Sequence, residues 1–114
     1  MELKLKSGGK LLIVPNVKEV KGLRNFKGLM FTRREKAGSL LFNIKSSLHS
    51  YFVFFPFVVL WLDNSNKILD KKIVRPFTFY INSNENYSKI LEIPFNRRYN
   101  YLIKSVVGER FKKN

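Results

Sequence analysis

The chain has no cysteine in 114 residues, one histidine and one tryptophan. Without cysteine there is no disulfide framework and no thiolate metal site, and a reducing compartment fits. One histidine with no cysteine also removes the usual ligand sets for zinc. Acids are scarce: eight Asp and Glu stand against 22 Lys and Arg, a formal net charge of +14. That excess builds a positive field that attracts nucleic acid, acidic protein or anionic lipid, unless it serves only to keep the surface solvated. A long apolar run is missing too. The stretch from Tyr51 to Leu62 is apolar throughout but carries Pro56 in its middle. It falls short of the roughly 20 residues a membrane-crossing helix needs. The opening Met1-Glu2-Leu3-Lys4-Leu5-Lys6 lacks the apolar segment of a secretory leader, so a cytoplasmic location is expected. The glycosylation-type triplet Asn86-Tyr87-Ser88 then carries no meaning. Repeats, linkers and low-complexity segments are absent from the sequence, and its length suits one domain, 1–114, with a basic tail at 112–114 that is expected to fray.

What is present is organised around that apolar middle. As a helix it would lose a backbone donor at Pro56 and clash one turn back. Its Phe, Val and Trp content suits strands. It therefore reads as two strands, 51–55 and 57–63, bent at the proline and buried on both faces, since a strand covered on both sides shows no polar alternation. Turn chemistry brackets further strands. Ser7-Gly8-Gly9-Lys10 separates strands at 3–6 and 11–14, with Lys4 and Lys6 guarding an edge. The same glycines and lysine lack the spacing of a phosphate-binding loop. Asp63-Asn64-Ser65-Asn66-Lys67 is a hairpin turn leading to a strand at 68–74. Strands follow at 39–44, 77–81 and 89–93, the last with Ile90 and Glu92 on one side and Leu91 and Ile93 on the other. Segment 97–107 fits either a strand or a helix whose face is Tyr99, Ile103 and Val106. Asn16 with Glu19 three residues on resembles a helix start, and predicts a short N-terminal helix over 17–26. Many short strands with turns between them favour a mainly β fold, a single compact sandwich or barrel with one short helix.

Several blocks in this order resemble a known family: Gly28-Leu29-Met30-Phe31, Leu40-Leu41-Phe42, His49 leading to Phe55-Pro56-Phe57-Val58-Val59-Leu60-Trp61-Leu62-Asp63, Ile90-Leu91-Glu92-Ile93-Pro94, and Gly108-Glu109. Together they resemble the small prokaryotic family catalogued as domain of unknown function 192, in its short archaeal form, over about 11–111. The resemblance implies a jelly-roll-like β-sandwich with a short helix before the Gly-Leu-Met block. It implies no activity and no cofactor. Val58 stands where that family commonly has aspartate, Asn96 where many members have glycine, and Glu109 where the family's terminal pair ends in aspartate. A polar site built on the missing aspartate would be altered here.

Candidate chemistry is thin. His49 can act as a base or ligand but opens the core strand, where a structural hydrogen bond is the commoner role. Asp63, Asp70, Glu92 and Glu109 are the acids worth weighing for hydrolysis or cation binding. Glu92 stands out by lying between apolar neighbours in a strand, although alternation also allows it to face water. No serine lies in a nucleophile-elbow pattern. The cations, by contrast, cluster. Lys18, Lys21, Arg24 and Lys27 precede Arg33, Arg34 and Lys36; Arg97 and Arg98 adjoin Tyr99 and Tyr101; Lys104, Arg110, Lys112 and Lys113 follow. Arginines beside exposed tyrosines contact phosphates and stack on unpaired bases. The expected function is accordingly a non-enzymatic module that binds an anionic partner, RNA or DNA, through Lys21, Arg24, Lys27, Arg33, Arg34, Arg97, Arg98, Tyr99, Tyr101 and Lys104. The alternatives are a small-ligand or carbohydrate-binding sandwich, or weak hydrolase, with a polar pocket at His49, Glu92 and Arg97, and a subunit of a larger assembly. No metal site is expected.

Overall fold

A computed structural model describes residues 1–20, 37–43, 55–75, 83 and 85–107. Seven strands and one α-helix lie within them. Strands β1 (Leu3–Ser7) and β2 (Lys10–Val14) form an antiparallel hairpin. Its two-residue loop needs positive φ at both positions, and Gly8 and Gly9 supply 53° and 83° without steric cost. The other strands, β3 (Val17–Val20), β4 (Ser39–Phe42), β5 (Phe57–Leu62), β6 (Ile68–Val74) and β7 (Lys89–Pro94), make a five-stranded sheet in the order β3-β4-β7-β5-β6. Only β3 and β4 run parallel. A one-turn 3₁₀ segment, Arg97–Tyr99, then leads into helix α1 (Asn100–Val107).

The fold is thus mainly β, as expected. Strands β3 and β6 are the two ends of the sheet and do not pair with each other among the described residues, so the sheet is not a closed barrel. The short helix follows the last strand instead of opening the chain. Residues 17–20 of the expected N-terminal helix are strand β3, and 21–26 lie outside the described residues. The local signal misled for a definite reason. Asn16 sits at φ 54°, in the left-handed region, whereas an N-cap needs extended backbone. Glu19 does not reach back to it but accepts a 2.6 Å hydrogen bond from Asn43 Nδ2. Val17 and Val20 are β-branched, and in-register pairing with β4 outweighs the weak capping pattern.

The central strand β5 is buried along its whole length, which explains its unbroken apolar sequence. Val58, Leu60 and Leu62 face one way, joined by Leu41, Leu91 and Ile93. The hairpin side chains Leu3, Leu5 and Val14 and the helix side chains Leu102, Ile103 and Val106 cover them. Phe57, Val59 and Trp61 face the other way with Phe42, Val74 and Ile90, packed against Ala37, Phe55 and Tyr87. Trp61 and Tyr87 meet as tilted rings with centroids 6.4 Å apart. Fully burying each such side chain contributes about 1.5–3 kcal/mol, so this strand anchors the fold. The strand expected at 57–63 and the turn after it are both present. In that turn Asp63 Oδ1 accepts from Ser65 N, Ser65 Oγ and Lys67 N at 2.8–3.0 Å. These bonds, led by that from the Lys67 amide, hold the Asp63 carboxyl below its ordinary range. The strand expected at 51–55 lies outside the described residues except for Phe55, and that at 77–81 lies wholly outside.

Tyr99 ties the layers together. Its hydroxyl accepts from Ser39 N–H at 2.9 Å and shares its own proton between Pro15 O at 2.8 Å and Asn16 O at 3.2 Å. The chain passes so close here that a Cβ on Gly38 would lie 2.9 Å from Asn16 O. Tyr99→Phe leaves the Ser39 donor and two carbonyls without this partner. It is expected to lower stability by about 1–3 kcal/mol, read as a lower urea midpoint with unchanged slope. An unchanged midpoint would show that the hydroxyl contributes nothing.

Candidate nucleic-acid interface

The segment after β7 is positioned from both ends. Asn96 is buried and donates from Nδ2 to Ala37 O at 2.9 Å, and Asn100 N–H closes the 3₁₀ turn on Arg97 O. At the far end Lys71 Nζ, reaching over from β6, donates to Val106 O at 2.5 Å. A cation at the carbonyl end of a helix is favourably placed. Apolar spacing fixes the rotation of the helix: Leu102, Ile103 and Val106 turn inward behind Tyr99. What remains outward is Arg97, Arg98, Asn100, Tyr101 and Ser105, with Lys104 half-buried.

Tyr101 is 83% exposed, the most exposed large apolar side chain described. Arg97 and Arg98 lie four and three residues before it and Lys104 three after, spacings that bring side chains to the same side of a helical turn. The first turns hold no acid. Arg97, Arg98, Tyr101 and Lys104 therefore lie on one side of the helical segment. Tyr99 is not among them: the side chain is fully buried and its hydroxyl is consumed inside the fold. Lys21, Arg24, Lys27, Arg33 and Arg34 lie outside the described residues, as does His49.

The polar pocket expected at His49, Glu92 and Arg97 is not assembled by the residues described. Arg97 is exposed at the start of the helical segment, whereas Glu92 is 3% exposed inside the sheet. Glu92 pairs with Leu40 on β4 and Val59 on β5, on the face of Phe57, Trp61 and Ile90. Its Oε1 has no hydrogen-bond partner, nor has Trp61 Nε1 on the same face. Burial alone pushes the Glu92 carboxyl up to about 8. Asp70 is occupied locally, accepting from Ser83 Oγ at 2.7 Å and Lys71 N at 2.8 Å. Glu109 lies outside the described residues. Among the described residues no group of three or more His, Asp or Glu is placed to hold a metal ion. No described helix is long and apolar enough to cross a membrane.

Compared with protein-family models, with curated proteins and with solved structures, the chain matches none. The class that geometry alone defines is a β-rich protein with a cationic, aromatic-centred helix face.

Proposed function

We propose that the chain is a non-enzymatic binding module that takes single-stranded RNA or DNA on the outward face of α1. The observation that carries this reading is Tyr101, almost fully exposed, with Arg97, Arg98 and Lys104 within one turn. An unpaired base stacks on the open ring, and the guanidinium and ammonium groups take the flanking phosphates. Arg97 and Arg98 also stand at the positive end of the helix, where the macrodipole disfavours cations and a phosphate relieves them. The +14 balance supplies the long-range attraction, and Lys21, Arg24, Lys27, Arg33 and Arg34 belong to the same proposal. The jelly-roll-like sandwich of the resembled family is its architectural part. It is supported by the burial of β5 on both faces, which requires a layer over each side of the sheet.

The test is fluorescence anisotropy of labelled single-stranded RNA and DNA oligonucleotides across a salt series. Affinity is expected to fall steeply with salt as counterions are released. Tyr101→Ala is expected to cost about 1–3 kcal/mol, or about 5- to 150-fold. The double change Arg97→Ala and Arg98→Ala is expected to flatten the salt slope by about two. Absence of binding at low salt, or a Tyr101→Ala protein with unaltered affinity, removes the reading.

A further inference from the structure

The β1–β2 hairpin carries an apolar and cationic surface that nucleic-acid binding does not use. Its register decides which way each backbone group points. With Gly8-Gly9 as a two-residue loop, Ser7 and Lys10 are the first hydrogen-bonded pair, and Leu5 with Leu12 and Leu3 with Val14 follow. Lys6 with Leu11 and Lys4 with Ile13 are then the pairs whose N–H and C=O groups point away from the partner strand. On β1 part of that outward set is in use: Lys6 N–H donates to Asn66 O at 2.9 Å. On β2 it belongs to Leu11 and Ile13, and β2 has no strand on that side among the described residues.

The same two residues expose their side chains. Leu12 and Val14 pack toward the core, while Leu11 is 59% and Ile13 49% exposed. Proteins commonly blunt a free edge with lysine or proline on the edge strand itself. Here Lys4 and Lys6 lie on β1, across from Ile13 and Leu11, so the lysines flank the edge that meets Asn66 and not the outer edge of β2. Lys10 opens β2, and Glu2, just before β1, is the one nearby acid in the hairpin sequence.

We infer that β2 is a docking edge for an extended acidic segment of a partner protein, added antiparallel as a further strand. The N–H and C=O groups of Leu11 and Ile13 supply the main-chain bonds, and their side chains take apolar residues of the segment. Carboxylates two residues along the segment from those apolar positions lie on the same side and reach over β2 toward Lys4 and Lys6, which share the side of Ile13 and Leu11, while Lys10, on the opposite side, adds to the local positive charge. A nucleic acid has no strand backbone to pair with this edge. A second copy of the chain would bring the same three lysines against their equivalents, on molecules that each carry +14.

The probe is a blocked synthetic peptide repeating Val-Thr-Glu-Thr, which puts Val and Glu on one side of the strand and Thr on the other, with a Val-Thr-Lys-Thr version as control, and the readout is amide hydrogen exchange by NMR. The acidic peptide is expected to slow exchange at the Leu11 and Ile13 amides tenfold or more, and the lysine peptide to leave them unchanged. Ile13→Pro is expected to abolish the effect, because proline at this position removes an outward N–H and no ladder bond. The double change Leu11→Lys and Ile13→Lys keeps every backbone donor and is expected to weaken peptide binding at least tenfold, which keeps the inference testable should the proline variant not fold. It is overturned if the acidic peptide fails to bind or binds without slowing those two amides. It is equally overturned if both peptides act alike, or if the slowing occurs without peptide and grows with protein concentration, since a second copy then fills the edge.

Discussion

Raising the pH from about 4.5 to about 8 is expected to weaken the fold by about 4 kcal/mol, and Glu92→Gln is expected to abolish that loss. Glu92 is enclosed by Leu40, Val59 and Ile90, and its Oε1 has no partner to compensate an ionised carboxylate. Burial lifts the carboxyl from the ordinary 4.5 to about 8. Within that window the folded chain keeps a proton that the unfolded chain has released, so stability falls as pH rises. It is fully present below about 4.5 and lost through about 8. Domains of this size are stable by about 5–15 kcal/mol, so the effect is large. At neutral pH the group is predominantly protonated, which makes the chain more basic than its formal charge. Urea midpoints of the parent and of Glu92→Gln between pH 5 and 9 decide the matter. Subtracting the two curves removes every other titration. A parent midpoint that does not move, or a glutamine variant with the same slope, would refute the assignment.

Placing an aspartate at position 58, where the family that the sequence resembles commonly has one, is expected to cost about 4 kcal/mol or more. Val58 is fully buried between Leu60, Leu91 and Ile93, and β5 is covered on both faces. A carboxylate there is shut off from solvent, and a neutral carboxyl would still forfeit its hydrogen bonds to water. Val58→Asp should therefore give a largely unfolded chain in circular dichroism, most so at high pH, while Val58→Ala remains folded with a lowered midpoint. An aspartate variant as stable as the parent would mean that position 58 reaches a polar environment.

How much of this was legible beforehand differs from residue to residue. The hairpin at Gly8-Gly9 and the turn at Asp63–Lys67 were readable because turn chemistry is local: positive φ and side-chain bonds to the next amides act within a few residues. The split of 89–93 into two faces was readable for the same reason, since strand alternation is geometry and not context. Segment 17–20 was misread because Asn16 and Glu19 satisfy a helix-start pattern whose cost and benefit are about 1 kcal/mol, less than the pairing of four residues with β4. The candidate surface was half legible. Arg97, Arg98, Tyr101 and Lys104 emerge together only once 97–107 is seen to be helical, because a strand would have thrown alternate members to opposite sides.

By itself the sequence determined the β class, the two tight turns, and the burial of 57–62 on both faces, because each follows from local propensity and periodicity. It also determined the cationic exterior, since so many lysines and arginines cannot be buried. Only the tertiary structure decided that Glu92 is enclosed, that Tyr99 is interior while Tyr101 is open, and that β2 has no strand on its outer side among the described residues. Alternation says which residues share a side of a strand or helix. Which side is covered depends on layers brought from distant parts of the chain, and no window of neighbouring residues contains them.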